Sequence, residues 1–315
     1  FVRMRDDKDA ADATGDTQIR HAEDTMDTTS TRITHGERLV YRDAKISKQQ
    51  VADYYRAIAP LMLREIAGRP LSIVRCPQGV AGKCFFQKHH STALGKNVDA
   101  IAISEAGGGS EDYVAVSDAA GILELVQMNV LEFHPWGCAE GKPDSPDRIV
   151  FDLDPAEDVA WKETVRAARD VRKRLQEAGL ESFVRLSGGK GLHVVSPIVS
   201  GPDWDEVKAF CRAFASTMAE LHPGRYLATA SKAQRKGRIF IDWLRNGRGS
   251  TSVASWSLRA RAGAPVAMPI RWEDLGRVGS AHAYDLQRAR RAAARGFDPW
   301  ESFDRMARQL PGTSA

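Results

Sequence analysis

Hydrophobic positions in the first half of the chain predict one helix followed by a series of short strands. Ser47 and Gln50 have the spacing of a capping box, and the apolar pattern behind them predicts a helix through roughly Glu65. Gly and Pro then divide the sequence into short apolar runs, which predict strands at 71–75, 84–87, 100–103, 113–116 and 131–134. A short helix is expected over about 122–130. The stretch 135–146 contains three prolines and two glycines, which predicts a connection.

The second half alternates between strands and helices. Apolar residues recur at helical spacing over 161–178 and over 204–221. Strands are predicted at 148–153, 183–186, 193–195 and 238–243. The resulting β-α-β-β-α-β order is that of a ferredoxin-like unit. We therefore predict an α+β fold in which an N-terminal mixed α/β part, 31–145, packs against a ferredoxin-like, RRM-like part, 146–310, that includes C-terminal helices.

Charge is distributed unevenly along the chain. Residues 1–30 hold four basic and eight acidic side chains, a net charge of −4. Since the whole chain carries a net charge of +4, residues 31–315 carry +8. We expect residues 1–30, which lack hydrophobic periodicity, to be a disordered linker or tail of an upstream domain. The first residue, Phe1, also suggests a piece of a longer polypeptide. The basic body suits a polyanionic partner, although a well-solvated arginine-rich surface would have the same composition.

Composition and cysteine usage indicate a globular protein in a reducing compartment. Hydrophobic residues make up 43% of the chain, and no apolar run is long enough to span a membrane. The four cysteines are widely spread and form no CxxC pair: Cys76, Cys84, Cys138 and Cys211. We expect free thiols, no disulfide scaffold and a cytoplasmic location. Cys84, His89 and His90 lack the second ligand pair that a zinc site needs.

Three aspartates are the first candidates for chemistry. Asp152 and Asp154 are two apart on a predicted strand, so they point to the same face. Neighbouring carboxylates repel each other unless a cation lies between them, and oxygen-only ligands favour Mg²⁺ or Mn²⁺. An ordinary solvated acidic turn has the same pattern. Asp242 lies inside an apolar strand and needs a partner, either a shared metal or a nearby arginine.

The glycine-rich turn between Ser187 and His193 is a candidate anion site. Its backbone N–H groups and Lys190 could cradle a phosphate, although it lacks Walker A spacing. A plain hairpin with a surface lysine is the alternative. The basic runs 232–238 and 259–261 suit phosphate contacts. Phe86 stands beside basic residues, as base-stacking aromatics do, although phenylalanine is also a common core residue.

The segments IVFDLDP, RLSGGKGLHV and FIDWLRN together resemble the three active-site motifs of archaeo-eukaryotic primase-like polymerases. The similarity is strongest to the polymerase domains of bacterial ATP-dependent DNA ligase D. It runs from about Arg32 to the C-terminal helices and includes RPLSIVRCPQG, FFQKH, FHPWG and TSVASWSLRAR. The resemblance implies a primase-like, two-part catalytic core.

The resemblance also implies roles for individual residues. Those matching divalent-metal ligands and catalytic carboxylates are Asp152, Asp154 and Asp242. Those matching nucleotide contacts are Ser187, Lys190, His193, Arg235, Arg259, Arg261, Phe86 and His134. Those best placed to bind a DNA 5′-phosphate at a gap are Arg38 and Lys48.

The function implied is metal-dependent addition of ribo- or deoxyribonucleotides to DNA 3′ ends, with two Mn²⁺ or Mg²⁺ ions, during double-strand break repair by non-homologous end joining. Implied partners are primer–template, gapped or broken DNA, NTP or dNTP, ligase and phosphoesterase domains of the same polypeptide, and Ku, in the bacterial cytoplasm at the nucleoid and without membrane. Two alternatives remain. A DxD glycosyltransferase would not need the basic surface, and a non-catalytic nucleic-acid-binding module would leave three carboxylates without a purpose.

Overall fold

The computed structural model describes residues 31–105, 107–139 and 141–312, so the predicted tail over 1–30 lies outside the described residues. Its helices are α1 (Lys48–Ile66), α2 (Ala119–Gln127), α3 (Trp161–Glu177), α4 (Trp204–Leu221) and α5 (Leu286–Ala294). Its strands are β1 (Leu39–Tyr41), β2 (Ile46–Ser47), β3 (Leu71–Arg75), β4 (Phe85–Gln87), β5 (Asp99–Ser104), β6 (Ser110–Ala115), β7 (Val130–Pro135), β8 (Arg148–Pro155), β9 (Phe183–Leu186), β10 (Leu192–Pro197), β11 (Tyr226–Leu227), β12 (Ile239–Asp242) and β13 (Met268–Ile270). Among these described helices, none is long and apolar enough to span a lipid bilayer.

The N-terminal part consists of an antiparallel sheet with α1 packed against it. In this sheet β3 pairs with β4, β6 and β7, and β6 pairs with β5. The Ser47 side chain accepts a hydrogen bond from the Gln50 backbone N–H, which confirms the predicted capping box. Tyr55 of α1 donates to the Leu131 carbonyl at 2.6 Å and packs edge-on against Phe133. The buried face of α1 therefore ties the helix to β7.

The second part is a six-stranded sheet in the order β11-β12-β8-β10-β9-β13. Its four central strands, with α3 and α4 as crossovers, have the predicted ferredoxin-like order, and each pairs antiparallel with its neighbour. Phe151 of β8 stacks on Phe214 of α4 at a ring-centroid distance of 4.6 Å. Since alternate residues of a strand face opposite sides, Asp152 and Asp154 lie on the face turned away from Phe151 and α4.

Buried ion pairs connect the two parts. Glu65, in the last turn of α1, accepts a hydrogen bond from Arg185 of β9 at 2.6 Å. Arg148 of β8 lies 3.9 Å from the same carboxylate. Side chains of both parts also contribute to one continuous hydrophobic cluster. The position of β9 therefore depends on α1.

Several short elements differ from the predictions for physical reasons. Helix α2 begins about three residues earlier than expected because Asp118 caps it, accepting a hydrogen bond from Gly121 N–H at 2.9 Å. Strands β1, β2, β11 and β13 have only two or three residues. Such short strands show no alternation that a sequence pattern would reveal.

The prediction of four free thiols is wrong for Cys76 and Cys84, which form a disulfide. Arg75 and Phe85 are cross-strand partners in the antiparallel β3–β4 pair, so Cys76, just after β3, and Cys84, just before β4, lie opposite each other with Cα atoms 4.3 Å apart. This pairing depends on strand register, which cysteine spacing does not show. Cys138 and Cys211 are free and buried. Cysteine usage therefore no longer supports a reducing compartment.

Candidate active site

Strand register gathers three acid–base side chains around Asp152. Asp154 is two residues further along β8 and shares its face. On one neighbouring strand Asp242 is the direct cross-strand partner of Asp152, and on the other neighbour the partner is His193. The His193 Nε2 atom lies 3.5 Å from an Asp152 carboxylate oxygen. The three predicted carboxylates therefore lie together on one face of the sheet.

The carboxylates at this site are crowded and only partly neutralised. Burial and then the neighbouring Asp154 carboxylate raise the pKa of Asp152 to about 7. Burial also raises the pKa of Asp242. The Arg245 Nε atom lies 3.6 Å from Asp152 and 3.2 Å from Asp242, and Arg235 lies 3.6 Å from Asp154. Arginines therefore lie close to all three carboxylates, but their positive charge does not bring the pKa of Asp152 back to its ordinary value.

The chemistry of the donors, rather than their arrangement, suits a divalent cation. As the side chains of the described residues are placed, no group of three or more His, Cys, Asp or Glu could hold a metal ion. The three aspartates offer only oxygen ligands, the kind that Mg²⁺ and Mn²⁺ prefer. A raised carboxylate pKa shows negative charge that a nearby cation would stabilise. Asp152, Asp154 and Asp242 are the residues that would hold such an ion.

Asp152→Asn is expected to stabilise the metal-free protein at pH 8 but not at pH 4. The pKa of Asp152 is about 7 in the folded chain, against roughly 3.9 when unfolded. The stabilisation of the folded chain by protonated Asp152 is therefore present at low pH and is lost as the pH rises from about 4 through 7. Thermal melts in EDTA at both pH values measure the effect, with Asp112→Asn on the exposed part of β6 as the matched control. An equal response of the two variants would contradict the crowded-carboxylate interpretation.

The glycine-rich turn packs tightly against the end of β8. A Cβ atom at Gly191 would lie only 2.0 Å from the Leu153 carbonyl oxygen, so only glycine fits there. The Ser187 hydroxyl accepts a hydrogen bond from Gly189 N–H at 3.2 Å. Lys190 is 59% exposed and pairs with Glu157 at 2.8 Å. Exposed ion pairs contribute little, so the lysine remains available to an anion.

Glu132 is the centre of a network that the sequence did not reveal. One carboxylate oxygen accepts from His134 at 2.8 Å and from Arg259 at 2.9 Å, and the other accepts from Ala260 N–H. Burial opposes ionisation of Glu132, but the hydrogen bond from His134 and the charge of Arg259 outweigh it and lower its pKa to about 2. Arg259 also donates to the Ser187 carbonyl. Glu132 therefore holds Arg259 against the glycine-rich turn.

Phe86 of β4 is a surface residue beside this network. Its side chain is 67% exposed, which excludes a core role. The ring stands edge-on to His134 with centroids 5.5 Å apart. Burial lowers the pKa of His134, which favours the neutral form of its ring. An exposed aromatic ring at this position can stack on a planar ligand.

One cavity of about 300 Å³ brings most of the predicted residues together. The predicted residues that line it are Phe86, His134, Asp152, Asp154, Ser187, Lys190, His193, Arg259 and Arg261. Asp242 and Arg235 join them through their contacts with Asp152 and Asp154. Arg245 and Ser252 line the same cavity, although the motif resemblance assigned neither of them a role.

The structure does not bring Arg38 and Lys48 to this cavity. Lys48 is 4% exposed, and its ammonium group donates to the carbonyls of Thr34 and Gln127 and to the Gln127 side chain. Burial and then the charge of Arg38 lower the pKa of Lys48 to about 8. Arg38 donates to the Pro77 carbonyl at 2.8 Å and to Asn129. Both cations are therefore engaged with protein oxygens.

Comparisons with known proteins show the family to which the chain is similar. A family model described as LigD, primase-polymerase domain, matches residues 47–300. The chain is 35% identical over 317 residues to the multifunctional non-homologous end joining protein LigD of Pseudomonas aeruginosa, covering 96% of this chain and 38% of that protein. It is 32% identical over 246 residues to the Mycolicibacterium smegmatis protein of the same name, covering 78% of this chain and 32% of the relative.

A solved structure confirms the α+β fold. The polymerase domain from Mycobacterium tuberculosis ligase D, in complex with DNA, matches with a TM-score of 0.81 and 29% identity, covering 88% of this chain and 98% of that one. The chain spans about a third of the length of the full relatives. The family model covers most of the chain, and the fold agrees with the family's polymerase domain, so this chain belongs to the LigD primase-polymerase domain family.

Proposed function

We propose that this chain is a metal-dependent nucleotidyltransferase that adds ribo- or deoxyribonucleotides to DNA 3′ ends. The observation that carries the proposal is the register that sets Asp242 opposite Asp152, on the strand face shared with Asp154. The same cavity contains a glycine-rich turn and Arg259, which are suited to a triphosphate. Membership of a primase-polymerase family supports the same chemistry.

The reaction joins a primer to a nucleotide. The primer 3′-hydroxyl gives its proton to solvent and attacks the α-phosphate. A phosphodiester bond forms, the bond between the α- and β-phosphates breaks, and pyrophosphate leaves. Two Mn²⁺ or Mg²⁺ ions, held by the three aspartates, would supply activation of the hydroxyl and charge neutralisation. The N–H groups of the turn, Lys190 and Arg259 offset charge on the triphosphate.

The remaining cavity residues orient the nucleotide. In the proposal Phe86 stacks on a base, and His134 lies beside the sugar. Ser187 and His193 hydrogen-bond phosphate oxygens. Arg235 and Arg261 add positive charge near the incoming nucleotide.

The proposed biological substrate is DNA with a gap or a broken end. The +8 charge of residues 31–315 favours a polyanion, and the matched M. tuberculosis domain was solved with DNA. Relatives named for non-homologous end joining are much longer than this chain. We therefore propose a role in that repair, together with ligase and phosphoesterase domains of the same polypeptide and with Ku, in the bacterial cytoplasm at the nucleoid.

Primer extension tests the proposal against its two alternatives. The 315-residue chain is incubated with labelled primer–template DNA and NTP or dNTP, and separately with nucleotide sugars, each with and without Mn²⁺. Metal-dependent elongation without nucleotide-sugar hydrolysis is expected. Sugar hydrolysis without elongation would indicate a glycosyltransferase, and DNA binding without either reaction would indicate a binding module.

In the proposal, a DNA 5′-phosphate takes the place of protein oxygens that Arg38 and Lys48 contact in the free chain. Neutralising both residues is then expected to weaken binding to gapped DNA that carries a 5′-phosphate, and to leave binding to the same DNA with a 5′-hydroxyl almost unchanged. A localised phosphate contact is charge-assisted, whereas general attraction acts on both DNAs. The control replaces Lys236 and Arg238, which should weaken both DNAs and reduce the salt dependence. Affinities at several salt concentrations measure this. Equal losses on both ends for the Arg38/Lys48 variant would remove the phosphate pocket.

A further inference from the structure

Arg185 is a fully buried cation that lies between the N-terminal part and the active site. Its side chain is 0% exposed. One arm of the guanidinium, Nη1, donates to Glu65 at 2.6 Å and to the Ser255 hydroxyl at 3.2 Å. The other arm, Nη2, lies 3.1 Å from the His193 Nδ1 atom and 3.5 Å from the Ser252 hydroxyl. A single fork thus connects α1 to a cavity residue.

The contact between Arg185 and His193 determines which nitrogen of the ring carries the proton. A guanidinium group has only donors and stays charged, so the His193 Nδ1 atom must accept and carries no hydrogen. The proton of the neutral ring is then on Nε2. That nitrogen lies 3.5 Å from Asp152, and the ring lines the cavity. The face of His193 turned to the cavity is therefore an N–H donor.

We propose that Arg185 is a positioning residue that fixes His193 as the Nε2–H tautomer, so that His193 donates to a phosphate oxygen of the incoming nucleotide. The contact between His193 and a phosphate rests on the function proposed above, whereas the tautomer of His193 does not. The opposite tautomer would present a lone pair to the phosphate, which repels it. A bond from a fixed donor costs no reorientation when the nucleotide binds.

Glu65 supports this role from the opposite side. Its second carboxylate oxygen accepts from the Ser255 backbone N–H at 2.9 Å, so the carboxylate is held by two groups besides Arg148. With Glu65 fixed, the guanidinium plane of Arg185 is fixed as well, and its Nη2 group points at His193. The end of α1 thereby sets the orientation of a ring in the active site.

The test is a nitrogen NMR spectrum of the histidine rings, recorded on the metal-free 315-residue chain near pH 7. Nitrogens with and without a hydrogen have well separated ¹⁵N shifts, and the His193 signals are identified by their loss in His193→Gln. The wild type is expected to show the Nε2–H form. Arg185→Lys keeps a cation for Glu65 but has no second arm, so the His193 signals should shift towards the other tautomer.

Activity supplies a second reading of the same variants. Arg185→Lys is expected to lower kcat/KM for the nucleotide by about tenfold or more without changing DNA affinity, because it removes the hydrogen bond that orients the His193 ring. Glu65→Gln is the matched control because it keeps an oxygen for Arg185 and removes only the charge. Glu65→Gln should lower the free energy of unfolding, but its His193 spectrum should be the same as that of the wild type.

The outcomes separate this inference from the proposed function. A wild-type spectrum with the proton on Nδ1, or an Arg185→Lys spectrum identical to wild type, would overturn the positioning role even in an active enzyme. The wild-type spectrum decides this even if Arg185→Lys does not fold. A tautomer shift in a chain that adds no nucleotides would instead refute the proposed function and leave the contact between Arg185 and His193 intact.

Discussion

Asp152→Ala, Asp154→Ala and Asp242→Ala are each expected to reduce nucleotide addition by about a hundredfold or more at saturating Mn²⁺. Each change removes one ligand from a shared metal centre, whereas loss of a single DNA contact would weaken affinity without abolishing turnover. The folds should remain intact, because burial and like charges already disfavour ionised Asp152. Single-turnover extension of a labelled primer measures the rate.

The matched control for these variants is Asp112→Ala on β6, an exposed aspartate, which should keep the wild-type rate. Circular dichroism melts check that each variant is folded. Near-normal extension by any one of the three aspartate variants would remove that residue from the metal centre.

Glu132→Gln is expected to lower kcat/KM for the nucleotide by about tenfold to a hundredfold. In the wild type the charged Glu132 carboxylate accepts hydrogen bonds from Arg259 and from His134, and so holds Arg259 against the glycine-rich turn. The amide of the variant has no such charge. Unpairing these groups should also reduce the free energy of unfolding by about 3 kcal/mol at pH 7. Steady-state kinetics and denaturant unfolding measure the two effects.

The pH dependence of Glu132→Gln provides an internal check. The pKa of Glu132 is lowered to about 2 in the folded chain, so its stabilisation is present above roughly pH 4.3 and is lost as the pH falls towards 2. The stability difference between Glu132→Gln and wild type should shrink over the same range. Glu111→Gln, on an exposed carboxylate of β6, is the control. Wild-type kinetics in Glu132→Gln would show that the network does not position Arg259.

The local parts of the site could be predicted from sequence periodicity. The spacing of two residues puts Asp152 and Asp154 on one strand face, and the order of strands and amphipathic helices predicts the ferredoxin-like sheet. That Asp242 and His193 flank Asp152 depends on registers set across α3 and α4. Here the motif resemblance supplied what periodicity could not.

Non-local pairings account for what was missed. Glu132 and Arg185 each lie in an apolar strand, a signal that a charge there needs a partner. The sequence does not show which partner that is, because Arg185 pairs with Glu65, 120 residues away, and Glu132 pairs with Arg259, 127 residues away. The Cys76–Cys84 disulfide was missed for the same reason, since it follows the β3–β4 register.

The metal-dependent transfer of a nucleotide is tested most directly by measuring primer elongation and pyrophosphate release together. The wild-type chain and Asp242→Asn are compared on one primer–template with Mn²⁺, and again after EDTA. Wild type is expected to release one pyrophosphate for each nucleotide added, and both products should vanish with EDTA and in Asp242→Asn. Elongation that continues in EDTA, or at the wild-type rate in Asp242→Asn, would contradict a carboxylate-held metal centre.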